Sequence, residues 1–334
     1  MRCTLNIFYA LDDAFVPQVG ASICSVCENN RESDQITFFL GIRSVSLPHQ
    51  AQLQELASSY GRSAVMIPIE DIKGRLGFSA DTSGWNEIVL ARLLIDQLLP
   101  QDVGRVLYLD GDTIVLGDLR ELWQTDLKGK TLGMAPEPTV NRKRKEGLGL
   151  RDRPYFNAGV MLVDLCRWRE QDASGRILGF YREREGKLFA NDQDAINAAM
   201  ADAIHPLSPR YNLYNMLYVF PYKTLRRIAG DNGYVPESVA REAAAHPAIV
   251  HFLGEERPWR RGNHHRYEQE YRRYLSLTPW KELPQERGWE TYFACYHFFW
   301  KALGCFPMAQ YRIIDGLIPL MIRLRKHKRQ KKDE

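Results

Sequence analysis

Over the first two thirds of the chain, short apolar runs alternate with longer stretches of helical periodicity, and this alternation restricts the fold more than any other feature. Residues 5–9, 36–40, 65–68 and 106–109 read as strands, and residues 19–29, 49–60 and 87–98 as the helices between them. Strands separated by helices imply right-handed crossovers and a mostly parallel sheet, hence an α/β fold. Such sheets bind ligands beyond the carboxyl ends of their strands. Asp12-Asp13 and Asp110-Gly111-Asp112 both fall there.

Residues 141–152 break the pattern with many charges, two glycines and no periodicity, and are expected to form a mobile loop. An apolar strand pattern returns at 156–165, and beyond about residue 260 the composition turns aromatic and basic. Two regions follow: a catalytic body over 1–262 and a small, mainly helical region over 263–334.

Charge narrows the function. The net charge of +4 rests on seven Lys and Arg residues between Arg323 and Lys332, and without them it would be −3. A basic tail on a slightly acidic body argues against nucleic-acid binding. There is no run of 18 apolar residues to span a membrane. The six cysteines are scattered, and Cys24 and Cys27, spaced to share a helix face, read as small core residues rather than zinc ligands. With no leader-like pattern at the N-terminus, a reducing cytoplasm is expected.

The residues with the clearest chemistry are Asp110 and Asp112, two carboxylates at i and i+2 leaving the mouth of an apolar strand. Mg²⁺ and Mn²⁺ take carboxylate oxygens together with substrate phosphate oxygens. Gly111 would permit close backbone approach or an unusual turn. The same triplet also fits an ordinary Asp-Gly turn. Three later segments bear on the choice: Phe156-Asn157-Ala158-Gly159 at a strand start, Asn191-Asp192-Gln193-Asp194 before a helix, and His251 through Trp259 after the apolar Ala248-Ile249-Val250. Taken singly, the second could be a helix N-cap and His251 a structural histidine.

In this order and spacing the four segments resemble glycosyltransferase family 8, over residues 7–259, and most of all its bacterial members that build lipopolysaccharide or other surface glycans. The resemblance implies a GT-A nucleotide-sugar fold, a UDP-hexose donor, Mn²⁺ (or Mg²⁺), and retention of anomeric configuration. It implies that Asp110, Asp112 and His251 ligate the metal. Ala10, Asp12 and Asp13 would face the base and ribose, and Arg92, Asn157, Ala158 and Gly111 the rest of the donor. Asp192 and Gln193 would line the reaction centre, with Gly254 and Arg257 gripping the diphosphate. Arg257 stands where the family has lysine, and Ser83-Gly84-Trp85-Asn86-Glu87 replaces a more hydroxyl-rich segment. Front-face attack helped by Gln193 is favoured, with Asp192 and Asp194 as the alternative nucleophiles by residue type.

The acceptor would be a glycan or lipid-linked saccharide. The stripe Ile313, Ile314, Leu317, Ile318, Met321 and Leu324 beside the basic cluster would suit an anionic membrane surface, on the cytoplasmic face of the inner membrane. Gly316 and Pro319 interrupt that stripe and favour a helix docked on the core instead. Two other functions fit a carboxylate pair on an α/β sheet: a nucleotidyltransferase, which lacks here any glycine-rich phosphate loop, and a silent glycan- or nucleotide-binding module.

Overall fold

The computed structural model describes residues 4–33, 35–82, 86–230 and 233–333, with side chains described as far as Arg323. Seven strands form the main sheet: β1 (Thr4–Asp12), β2 (Gln35–Arg43), β3 (Ser63–Pro68), β4 (Arg105–Leu109), β6 (Leu132–Pro136), β7 (Phe156–Asp164) and β8 (Ile204–Pro206). Their spatial order is β3-β2-β1-β4-β7-β6-β8. Only β7 runs against its neighbours, so the sheet is mostly parallel. A two-stranded antiparallel ribbon joins β5 (Thr113–Val115) to β9 (Ile249–His251).

The period-two alternation of β1 divides the core. Leu5, Ile7, Tyr9 and Leu11 enter one apolar cluster with the helix Val16–Asn29, whereas Phe8 enters the other on the opposite face. Cys24 and Cys27 are both buried in that helix as free thiols.

Residues 87–98 differ from the continuous α-helix expected. Glu87–Leu94 is a 3₁₀ helix, followed by one α turn over Ile95–Leu98. Three residues per turn eclipse i and i+3, so Val89 and Arg92 form one column along the cleft. The columns Leu90/Leu93 and Ile88/Ala91/Leu94 are buried against the sheet.

The loop expected over 141–152 contains a helix, Arg142–Gly147, whose N-terminus is capped by Asn141 accepting from the Arg144 N–H at 2.9 Å. Charge concealed it: Lys145 is buried, its ammonium donating to the carbonyls of Ala229 and Arg153 at 2.7 and 3.0 Å. Val140, Leu148, Leu150 and Tyr155 complete the packing beneath.

Residues on both sides of 262/263 share one apolar cluster. Tyr271, Tyr274, Leu275, Trp280 and Tyr311 join the helix Val16–Asn29 there, and a Cβ at Gly20 would lie 2.3 Å from the Trp280 ring. The helix Pro307–Asp333 runs through Gly316 and Pro319 without breaking. Its Ile314 packs on the core, while Ile313, Leu317 and Leu320 are exposed. The side chains of Leu324 and of the basic residues after Arg323 lie outside the described residues, as do Ser83, Gly84 and Trp85. Among the described residues no helix is long and apolar enough to cross a membrane.

Candidate metal and donor-sugar site

β4 ends at Leu109, and the next three residues turn into β5. Two backbone bonds hold that turn. The Asp110 N–H donates to Gly159 O on β7, and the Phe252 N–H after β9 donates to Asp112 O, both at 2.8 Å. The pairing of Thr113 with His251 across the ribbon then brings His251 beside both carboxylates.

His251 Nε2 lies 3.3 Å from Asp112 Oδ1 and 3.7 Å from Asp110 Oδ2. All three ligand atoms are within 4.8 Å of one another, a set that could hold a metal ion. Ligand atoms about 2.1 Å from one ion sit about 3–4 Å apart, so the spacing fits a small divalent cation. The other ring nitrogen, Nδ1, is 3.0 Å from the side-chain Oδ1 of Asn212, which fixes its proton there and leaves the Nε2 lone pair toward the carboxylates. Gly159 makes the room: a Cβ there would sit 2.3 Å from His251 Cε1 and 2.9 Å from Asp110 Oδ2.

The local field is strong. Burial opposes ionisation of Asp112, but His251 and Arg257 outweigh it and hold the carboxyl below its ordinary value. Burial likewise disfavours the His251 imidazolium, and the facing carboxylates overcome it and raise the pKa. Gly111 lies in the expected turn and lines the cleft, and its missing side chain has a further use. A Cβ there would lie 2.8 Å from Val19 and 2.9 Å from Phe15, so its absence lets two apolar side chains close beneath the carboxylates.

A cleft of about 370 Å³ opens over these groups. Ala10, Asp12, Arg92, Asp110, Gly111, Asp112, Asn157, Asp192, Gln193, His251, Gly254 and Arg257 all line it. Asp13 and Ala158 do not. The Asp13 carboxylate accepts from the Ser46 N–H and sits 2.8 Å from His49 Nδ1, pinning a neighbouring loop. Ala158 lies behind the cleft wall, its N–H donating to Gln193 Oε1 at 2.9 Å and its carbonyl accepting from Arg92 at 2.8 Å.

Arg92 is the hub of the cleft floor. Its guanidinium donates to Asp110 at 2.7 Å, approaches Asp192 at 3.0 Å and stacks over the Tyr108 ring. Burial pushes the Asp192 carboxyl up to about 6, more than Arg92 draws it down. Asp194 is held by three donors: Arg144, the Tyr155 hydroxyl and the Ala190 N–H, at 2.7, 2.6 and 2.8 Å. Gly254 takes a left-handed backbone, φ 85°, which turns the chain so that Arg257 returns to Asp112 at 3.1 Å.

Three residues unremarked in the sequence complete the site. Asn212 Nδ2 donates to Asn157 Oδ1, and Asn157 Nδ2 donates to Glu137 Oε2. Glu137 Oε2 also accepts from Gln193 Nε2 at 2.9 Å. An unbroken relay thus runs from His251 to Gln193. Arg144, from the unexpected helix, closes the far wall. Glu137 follows the apolar strand β6 directly, the cue that singled out Asp110, whereas Asn212 carries no charge and no periodic signal.

Removing the Asn212 side chain tests the relay where it meets the ligands. Asn212→Ala is expected to weaken Mn²⁺ binding about 10–100-fold, with Asn212→Asp, which keeps the acceptor, recovering most of it. A Mn²⁺ titration followed by electron paramagnetic resonance reads this, and equal affinity in Asn212→Ala and wild type would dismiss the orienting role.

The model of glycosyl transferase family 8 matches residues 6–263. General stress protein A of Bacillus subtilis is 27% identical over 285 residues, covering 84% of this chain and 96% of that protein. A lipopolysaccharide 1,2-glucosyltransferase of Escherichia coli K12 is 24% identical over 285 residues, covering 83% of this chain and 79% of that protein. The galactosyltransferase LgtC, solved with donor and acceptor sugar analogues, matches with a TM-score of 0.69 at 21% identity, over 86% of this chain and 99% of that one. That likeness makes the mixed sheet a GT-A fold with a helical C-terminal region. With more than three quarters of its length matched by the family model, the chain belongs to glycosyl transferase family 8.

Proposed function

We propose that the protein is a metal-dependent, retaining hexosyltransferase that moves glucose or galactose from a UDP-sugar to a glycan or glycolipid, with lipopolysaccharide core or another surface polysaccharide as acceptor. One observation carries the reading. A single cleft joins the Asp110–Asp112–His251 set to Arg92, Asp192 and Gln193, so an anion-binding end and a sugar-binding end share one cavity. Relatives named as a lipopolysaccharide glucosyltransferase and a galactosyltransferase support the donor class.

Asp110, Asp112 and His251 would hold Mn²⁺ or Mg²⁺, which supplies Lewis-acid neutralisation of charge on the departing diphosphate. Arg257 and the backbone around Gly254 add positive charge at the same end. Ala10 and Asp12 flank the nucleoside end. Asp12 is itself held by the Asn86 amide and accepts from the Phe15 N–H at 3.2 Å. At the sugar end Gln193 is fixed by Ala158, Glu137 and Tyr155, and Asp194 is saturated by its three donors. With Asp194 so engaged, front-face attack beside a fixed Gln193 accounts for retention without a free carboxylate on the far face.

The test is UDP release from UDP-glucose, UDP-galactose and their N-acetyl forms with Mn²⁺ and saccharide acceptors. Turnover with glucose or galactose donors that stops on chelation is expected; silence with all four donors in Mn²⁺ and in Mg²⁺ rules the reading out.

Membrane docking through the C-terminal helix belongs to the same proposal. Ile313, Leu317 and Leu320 project from a helix that continues into a basic segment. Exposed apolar side chains beside lysines and arginines favour anionic lipid surfaces. Changing Leu317 and Leu320 to Asp is expected to lower co-sedimentation with anionic vesicles at least about tenfold, because each buried leucine contributes roughly 1.5–3 kcal/mol. Equal sedimentation of variant and wild type counts against it.

A further inference from the structure

A second cavity, of about 510 Å³, lies behind the turn that grips the diphosphate end of the cleft. Gly254 and Arg257 face the cleft, whereas Glu256, between them, lines the second cavity. Glu256 Oε2 occupies the space beside Gly254, 3.1 Å from where a Cβ would stand. One turn of chain therefore walls both spaces. The rest of the lining comes from the helix Asn215–Val219 with Pro221, the segment 263–266, the helix Glu290–Ala302 with its following turn, and the first turn of the helix Pro307–Asp333.

One buried donor in its wall is left unused. Asn263 is 3% exposed, and its Nδ2 has no acceptor at hydrogen-bond distance among the described residues. Asn215 instead hydrogen-bonds Glu256 and Tyr296, and Trp300 hydrogen-bonds Tyr296, so these groups form a connected polar wall. Buried donors are almost always paired, by protein, water or ligand. A second donor follows from the tautomer of His265. Its Nδ1 accepts from the Tyr267 N–H at 3.1 Å, and burial holds the ring neutral, with a pKa pushed down to about 4. The ring proton is then on Nε2 and is given to the Tyr218 oxygen at 3.2 Å, leaving the Tyr218 hydroxyl proton to donate elsewhere.

The apolar part of the lining is aromatic: Tyr218, Tyr296 and Trp300. The charged residues are of both signs, Glu256 and an Arg266 stacked over Tyr218, so no net field selects an anion. Flat apolar rings, the Asn263 amide and Tyr218 hydroxyl as donors, and the Glu256 carboxylate match a pyranose, which has apolar C–H faces and a rim of hydroxyls. The volume is within the range of roughly 300–1,000 Å³ typical of small-molecule sites.

We propose that this cavity is a saccharide-binding subsite, separate from the donor cleft, that holds a distal sugar unit of the acceptor glycan. It rests on the glycosyltransferase reading for the word acceptor, but its binding of sugar can be measured without turnover. The full chain is saturated with UDP and Mn²⁺ to fill the cleft, then titrated with lactose, maltose, cellobiose and N-acetyllactosamine by saturation-transfer-difference NMR. At least one disaccharide is expected to bind wild type with UDP present, and Trp300→Ala to weaken it at least tenfold. Val219→Trp, which narrows the mouth instead of removing a wall, is expected to weaken it as much and covers the case in which the first variant does not fold. UDP affinity, measured on the same samples, is expected to stay within twofold of wild type. No binding of any of the four sugars, or binding unchanged in both variants, overturns the subsite. If UDP itself fails to bind wild type, the proposed function falls, and the sugar titration still reads the cavity.

Discussion

Asp110→Ala and Asp112→Ala are each expected to remove metal-dependent UDP release by at least about a thousandfold. On the proposed reading, the two carboxylates would hold a cation whose charge would offset that developing on the departing diphosphate, by several kcal/mol, and each 1.36 kcal/mol is about tenfold in rate. The two variants fail differently beyond that shared loss. In Asp110→Ala the buried Arg92 keeps Asp192 as its carboxylate partner but loses the stronger contact at 2.7 Å. In Asp112→Ala it is Arg257 that loses a carboxylate, at 3.1 Å. Initial rates at saturating Mn²⁺, with circular dichroism as a check on folding, decide the matter. Near-normal turnover in both variants would refute the metal assignment.

Asp192→Asn should separate activity from stability. Burial raises this carboxyl from an ordinary 3.8 to about 6 in the folded chain. A carboxyl that binds its proton more tightly when folded favours folding below its unfolded pKa. That advantage is lost as pH rises from about 4 through about 6. Above that range the ionised group costs about 2–3 kcal/mol, at 1.36 kcal/mol per pKa unit. The amide keeps the shape and an acceptor for Arg92 without the buried charge. The variant is therefore expected to be more stable than wild type at pH 7.5, with the difference vanishing only below about pH 4. Turnover is expected to move the opposite way, down at least about a hundredfold, because a neutral amide holds Arg92 less firmly where the proposed donor sugar would sit. Thermal unfolding across that pH range without added metal reads the first effect. A difference independent of pH would show that the charge is not its source.

Such trade-offs sit where sequence patterns stop being informative. The sheet was legible because β1, β2 and β4 are nearly continuous apolar runs, and the carboxylates stood out because they end one of them. The helix Arg142–Gly147 was not, since its buried face is the stem of Lys145 and its apolar support comes from residues on either side. Tight winding over Glu87–Leu94 was hidden as well, because α and 3₁₀ helices place apolar residues at nearly the same intervals. In the site, Asp110 and Asp112 could be named from their place at a strand end, whereas His251, structural when taken singly, was named through the family resemblance. Asp13 shares that position by sequence but turns its carboxylate toward Ser46 and His49. Asn212 could not be found that way. A neutral amide that orients another side chain leaves no mark until the chain brings it within 3.0 Å of the imidazole.

The three-residue ribbon of β5 and β9 has a consequence for how the protein matures. Asp112 and His251 are brought together by one pair of short strands, closing a loop that contains β6, β7, β8 and most of the helices of the second half. Contacts of such sequence separation are costly in chain entropy until the intervening segments have condensed, so they come late in folding. A nascent or partly unfolded chain therefore holds the two aspartates without the imidazole and binds a divalent ion weakly. A divalent ion taken up by Asp110, Asp112 and His251 would favour the folded chain and act as a clasp between segments far apart in sequence.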